Sequence, residues 1–138
     1  DESYNSSPAS MMAAIKVLSR ARPRGRGKRV AVIGDMLELG SRSRDLHASL
    51  AEPILSSGID LVFTAGSQAK ALWDRLPSTV RGEHAFNPSD LKHLVLEAIG
   101  DGDIALVKGS QGSHMTEIVN ALDALDGVID DPKCGKGA

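Results

Sequence analysis

The chain is predicted to be an α/β domain with a mostly parallel sheet and helices on both faces, and two observations predict it. Three short apolar segments share one grammar. Val30-Ala-Val-Ile33 breaks at Gly34-Asp35, Leu61-Val-Phe-Thr-Ala65 stops at Gly66-Ser67, and Ile104-Ala-Leu-Val-Lys108 stops at Gly109-Ser110. Short continuous apolar runs of this kind read as strands buried on both faces. The second observation is that segments of helical periodicity lie between them. Strand–helix alternation means a parallel sheet with right-handed crossovers. The strand ends then gather their loops at one edge, and open α/β sheets bind ligands outside the carboxyl ends of their strands.

Each element has its own signal. Asp1 to Ser7 is polar and suits the loop after a strand lying further upstream. Ser7-Pro8 starts a helix, with Ser7 as N-cap and proline where no donor is needed. Met11, Ile15 and Leu18 recur at helical spacing, and the helix is expected to stop before Pro23. The Val30 strand leads into Met36-Leu-Glu-Leu-Gly40, an apolar loop at the ligand edge. A helix is expected from about Ser43 to Leu55, with Leu46, Leu50 and Ile54 on one face and a kink or early end at Pro53. After strand Leu61–Ala65, Ser67 is the expected cap of a helix carrying Ala69, Leu72, Trp73 and Leu76, ended by Pro77. Trp73 at that spacing reads as core. A short strand is expected near His84-Ala-Phe86. Asn87-Pro88 opens a helix with Leu91, Leu94, Val95, Ala98 and Ile99 on one face and Gly100 as C-cap. After strand Ile104–Lys108, a last helix is expected to bury Met115, Ile118, Val119, Leu122 and Leu125. The domain is expected over 1–127, with 128–138 a polar, loose tail.

Composition narrows the function. The chain has 138 residues, with 16 basic and 18 acidic side chains, so nothing global points to nucleic acid. One Trp, one Tyr and two Phe make a base-stacking platform implausible. The single cysteine, Cys134, cannot form an internal disulfide and fits a reducing compartment. No apolar run approaches a membrane span and no signal-peptide core is present, so a cytoplasmic protein is expected. The opening Asp1-Glu2-Ser3-Tyr4 carries no initiator, and the chain reads as cut from something longer.

Candidate chemistry sits in the edge loops. Gly109-Ser-Gln-Gly112-Ser113, between strand and helix, could hold a carboxylate or phosphate with Lys108 at its mouth, or could be only a tight turn. Asp1 and Glu2 could meet a ribose diol or a cation, against a solvated loop end. Asp35 could do similar work or merely cap its turn. The four histidines show no metal spacing; His93 reads as exposed, while His47 and His114 could each face the edge. Six cations lie between Arg20 and Arg29, and a solvated helix end and loop is favoured there over a phosphate-binding patch. Gly25-Arg-Gly27-Lys28 is not a Walker loop, and no G-x-G-x-x-G links a strand to a helix. A phospho-receiver domain would need an acceptor acid after the third strand, which ends Thr64-Ala65-Gly66.

Several stretches together resemble a known family. Asp1-Glu-Ser-Tyr-Asn5-Ser-Ser-Pro8-Ala-Ser10-Met11 resembles a D-D/E-S-Y-N-A-N-P-x-S-M segment of the Mur ligases, in the branch that adds D-alanyl-D-alanine. Gly34-Asp-Met-Leu-Glu-Leu-Gly40, with His47 following, is similar to that branch's G-D-M-x-E-L-G loop, and Val107-Lys-Gly-Ser110 with Met115 to its V-K-G-S-x-x-x-x-M close. The resemblance runs from Asp1 to about Leu125. It implies a Rossmann-like three-layer sandwich of the Mur ligase C-terminal type. It also implies ATP and Mg²⁺, an acyl phosphate on UDP-N-acetylmuramoyl-tripeptide, and attack by the amine of D-alanyl-D-alanine. The N-terminal and central domains of such an enzyme would be the chain's partners, with no nucleic acid, no membrane span and a monomeric state. By the same resemblance Asp1, Glu2, Tyr4 and Asn5 would face the nucleotide, and Asp35, Met36, Glu38, Lys108, Gly109 and Ser110 the dipeptide. The phosphoryl chemistry would lie outside this chain, which alone is expected to be inactive and to hold no cofactor tightly. Two departures stand out: Ser7 where the family has a second Asn, and Gln111 where it often has Arg. The rival is a free-standing α/β module that binds a small anion or a partner through the same loops.

Overall fold

Ser7 starts the first helix, α1 (Pro8–Arg20), through a capping box. Its hydroxyl accepts from the Ser10 N–H at 3.1 Å while Ser10 Oγ accepts from the Ser7 N–H at 2.9 Å. The structure is a computed structural model and describes residues 6–126. After α1 come β1 (Arg29–Gly34), a 3₁₀ turn (Gly40–Arg42), α2 (Ser43–Ala48), α3 (Ala51–Ser56), β2 (Leu61–Ala65) and α4 (Lys70–Arg75). The chain continues with β3 (Arg81–Ala85), α5 (Pro88–Ala98), β4 (Ile104–Lys108), a second 3₁₀ turn (Gln111–Ser113) and α6 (Thr116–Asp126).

The strands form one parallel sheet in the order β3-β2-β1-β4. Val30 of β1 pairs with Leu61 on one side and Ala105 on the other. Alternation along β1 divides the core into two layers. Ala31 and Ile33 face Met11, Ile15, Leu18, Leu50, Ile54 and Leu72, which belong to α1, α3 and α4 and the turn before α3. Val30 and Val32 face Leu91 and Val95 on α5, Met115 just before α6 and Ile118 in its first turn. Each Val, Leu, Ile or Met side chain among them contributes about 1.5–3 kcal/mol when fully buried. The expected three-layer α/β sandwich is therefore present.

Four local expectations are corrected. The helix after β1 breaks at Ser49-Leu50, ahead of Pro53, and Pro53 lies in the first turn of α3, where its missing N–H leaves no helical acceptor unpaired. β3 runs Arg81–Ala85, and Phe86 is 66% exposed beyond it. Ile99, in extended conformation, is the C-cap of α5, and Gly102 rather than Gly100 takes the left-handed turn at φ +86. Val119 is 38% exposed and Leu122 only partly buried, whereas Met115, just before α6, and Ile118 in its first turn are buried in the core. The side chain of Leu125 and the tail from 127 lie outside the described residues.

Candidate functional site

Three loops meet at the carboxyl edge, and their backbones are tied to one another by side chains. Asp35 follows β1. Its Oδ1 accepts from the N–H groups of Gln68 at 3.1 Å and Ala69 at 2.7 Å. The turn into α4 is thus capped by a carboxylate from the neighbouring strand, and not by Ser67 as the sequence suggests. Gly66, at φ +114, makes room: a Cβ there would lie 2.2 Å from Asp35 Oδ1. The Asp35 carbonyl accepts from the Ser110 N–H at 3.0 Å, which ties the loop after β4 to the loop after β1.

His47 is fully buried on α2. Its Nε2 accepts from the Met36 N–H at 2.9 Å, and its Nδ1 lies 2.7 Å from the Ser43 carbonyl. A backbone donor on one nitrogen and a backbone acceptor on the other fix the neutral ring with its proton on Nδ1. The next N–H, that of Leu37, donates to Ser110 Oγ at 2.9 Å. With two successive N–H groups held, the chain turns at Glu38, a non-glycine residue at φ +62 whose side chain is exposed. That left-handed conformation is uncommon for such a residue and persists where neighbours over-determine it.

The turn after β4 is shaped by contact as well. A Cβ at Gly34 would lie 2.6 Å from Met115 Cγ, and one at Gly109 would lie 2.7 Å from Ser113 Oγ and 3.1 Å from Gly34 Cα. Glycine at both positions lets the ends of β1 and β4 close on Met115. Gly112 lies equally close to Leu37, 2.8 Å from its Cδ1 for a built Cβ.

The sequence-predicted residues separate into two groups here. Asp35, Met36 and Ser110 use their polar atoms inside the fold, as cap, clamped amide and cross-loop bridge. Glu38 and Gly109 stand on the loops these residues hold, and Lys108 is the last residue of β4, paired in register with Ile33. Asp1, Glu2, Tyr4 and Asn5 lie outside the described residues. His114 is exposed at φ +60, and His47 faces inward rather than to the edge. Among the described residues no cluster of His, Cys, Asp or Glu could hold a metal ion, and no helix is long and apolar enough to cross a membrane.

Sequence reasoning missed the pair at the far side of the edge. Thr64 is fully buried with Oγ1 2.6 Å from His84 Nδ1. The His84 ring meets Phe86 edge-on at 5.0 Å between centroids. Burial holds the His84 imidazolium pKa below its usual range, and Lys70 adds to that; Asp35 and Asp74 oppose it. The Ser43–His47 spacing of one helical turn was the one local signal for a buried histidine clamp; Thr64–His84 left no local signal.

Residues 2–111 match the family described as Mur ligase, glutamate ligase domain. The UDP-N-acetylmuramoyl-tripeptide–D-alanyl-D-alanine ligase of Escherichia coli strain K12 is 37% identical over 126 residues, covering 88% of this chain and 26% of that protein. The same-named ligase of Bacillus subtilis strain 168 is 35% identical over 125 residues, covering 88% of this chain and 27% of the relative. Among solved structures, MurF ligase from Thermotoga maritima in complex with ADP superposes with TM-score 0.70 at 25% identity, over 90% of this chain and 27% of that one. MurF from Acinetobacter baumannii gives TM-score 0.72 at 26% identity, over 88% and 26% respectively. The chain thus spans about a quarter of the length of the relatives it matches.

Proposed function

The chain belongs to the Mur ligase family, and from that premise we propose that it is the C-terminal domain of a ligase that joins D-alanyl-D-alanine to UDP-N-acetylmuramoyl-tripeptide in cytoplasmic peptidoglycan precursor synthesis. The carrying observation is that the relatives matched across most of this chain bear that ligase's name, at 32% to 37% identity. The reaction uses ATP, with an acyl phosphate on the tripeptide carboxylate, and the domain works as one part of a monomeric three-domain enzyme. An ADP-bound structural neighbour supports nucleotide use in the family.

The metal and the phosphoryl step belong to the rest of the ligase. This chain supplies a wall. Asp35, His47 and Ser110 hold the loops after β1, β2 and β4 in one arrangement before any substrate arrives. Glu38 meets the dipeptide's amine side, and Lys108 with the Gly109 turn meets its carboxylate, since an ammonium and a carboxylate need opposite charges at opposite ends. Asp1, Glu2, Tyr4 and Asn5 face the nucleotide. Closing this wall over the acyl phosphate excludes water that would otherwise hydrolyse it.

The full-length ligase carrying this chain is expected to release ADP only when ATP, UDP-N-acetylmuramoyl-tripeptide and D-alanyl-D-alanine are all present. The 138-residue chain alone is expected to release none. ADP release driven equally by an unrelated amine, or by the chain alone, would overturn the reading.

A further inference from the structure

The basic run between Arg20 and Arg29 lies at the opposite, amino edge of the sheet, where α1 ends and β1 begins. We propose that the groove lined by Ser19, Arg20, Arg22, Pro23 and Arg29 binds a diphosphate-type anion. This inference does not depend on the ligase reading, because none of these residues belongs to the carboxyl edge.

The segment that follows the groove is fixed. The Arg24 N–H donates to the Gly102 carbonyl at 3.0 Å, the Gly27 N–H to the Arg24 carbonyl at 2.8 Å, and the Lys28 N–H to Asp103 Oδ1 at 2.7 Å. Gly27 is pressed so closely on Gly102 that a Cβ would fall 2.1 Å from its carbonyl oxygen. The loop that leads from the groove into β1 is therefore held by backbone against backbone. On the wall, Arg29 Nε donates to the Ala21 carbonyl at 3.1 Å, which orients that guanidinium and leaves its two terminal nitrogens as donors.

The charge at the groove is uncompensated. Arg20 and Arg22, with Arg24 and Arg26 beside them, are exposed, and their guanidiniums make no hydrogen bond or ion pair among the described residues. The nearby acids are already engaged. Asp60 accepts from the Arg29 N–H at 2.9 Å, and Asp103 accepts from Gly100 and Lys28. On a chain of net charge −2 this is a local excess, not a general basicity. The α1 carboxyl end opposes an anion only weakly, because the Leu18 carbonyl already accepts from Ala21 and the Lys16 carbonyl from Ser19 Oγ. Guanidiniums bind phosphate oxygens in pairs, and three of them around a groove of about 540 Å³ suit linked phosphates better than one.

The test is amide NMR of the chain titrated with sodium diphosphate at low and physiological salt. Diphosphate is expected to move the amides of residues 19–29 and leave those of 36–40 in place. The double variant R20A/R22A is expected to weaken binding by about tenfold or more, and R20K/R22K by less, since it keeps charge but not the fork. Unmoved amides in 19–29, equal movement by sulfate at matched ionic strength, or R20K/R22K matching the parent would overturn the site. So would capture by anionic vesicles that diphosphate fails to compete away, which would make this a lipid-facing surface instead.

Discussion

At the carboxyl edge the Asp35 carboxylate accepts from two backbone N–H groups of the next loop, and at the amino edge the Asp103 carboxylate accepts from Gly100 and Lys28. Both acids fix loop backbones across neighbouring strands. Around Asp35, however, the other polar groups are absorbed as well: His47, Ser43, Ser110 and Ser113 all bond within the fold. Around Asp103 the backbone is fixed while the arginines are left outward and unmatched. The difference teaches how to tell a shaping residue from a presenting one. A polar side chain with every atom satisfied internally sets geometry; one held on a rigid loop with its charge unmatched is available to a partner.

The comparison breaks most visibly at glycine. Gly27→Ala at the amino edge sets a Cβ against the Gly102 backbone, with no side chain to yield, and is expected to cost about 3 kcal/mol or more in urea unfolding. Gly25→Ala, in open space at φ +54, is expected to cost only about 1 kcal/mol. Equal losses would mean the two loops are not packed as described.

Next comes the carboxyl edge. Asp35→Ala leaves two N–H groups at the start of α4 without acceptors and is expected to lose about 2 kcal/mol, with Asp35→Asn losing about half of that because its amide oxygen still accepts. An Asn variant as unstable as the Ala variant would assign the effect to charge rather than to capping.

His47→Leu removes the acceptor for the Met36 N–H, whereas Gln at position 47 can still offer an oxygen near the Nε2 position. Hydrogen exchange at the Met36 amide is expected to quicken about tenfold in the Leu variant and to recover largely in the Gln variant. Loss of protection in both would show that ring packing, not the hydrogen bond, holds the loop.

A smaller effect separates the edges by pH. Burial would raise the Asp103 pKa, but the N–H groups of Gly100 and Lys28 and the Lys28 ammonium outweigh it and hold it below 3.8. The stability it adds is therefore complete above pH 3.8 and is lost as the pH falls through the lower folded-state value. Asp103→Asn is expected to flatten that acid limb of the stability curve, and an unchanged limb would move its cause to other carboxylates. Smallest of all, R20A/R22A is expected to stay within about 0.5 kcal/mol of the parent, because those side chains are exposed and their guanidiniums bond to nothing among the described residues. A larger loss would mean the arginines support the fold rather than present charge.

What the sequence determined by itself was the local chemistry. The apolar runs ending in glycine placed β1, β2 and β4 within a residue or two, and Ser7 and Asn87 capped their helices as read, because an N-cap needs only residues two or three positions on. The family was legible for the same reason, in short stretches such as Gly34 to Gly40. What only the tertiary structure decided was which way the edge residues point. Asp35 caps a turn 33 residues away, Ser110 accepts from Leu37 73 residues earlier, and Thr64 meets His84 across two strands. Such bonds exist only once the sheet has assembled in the order β3-β2-β1-β4, and the energy of burying an unpaired polar group, not local propensity, selects them.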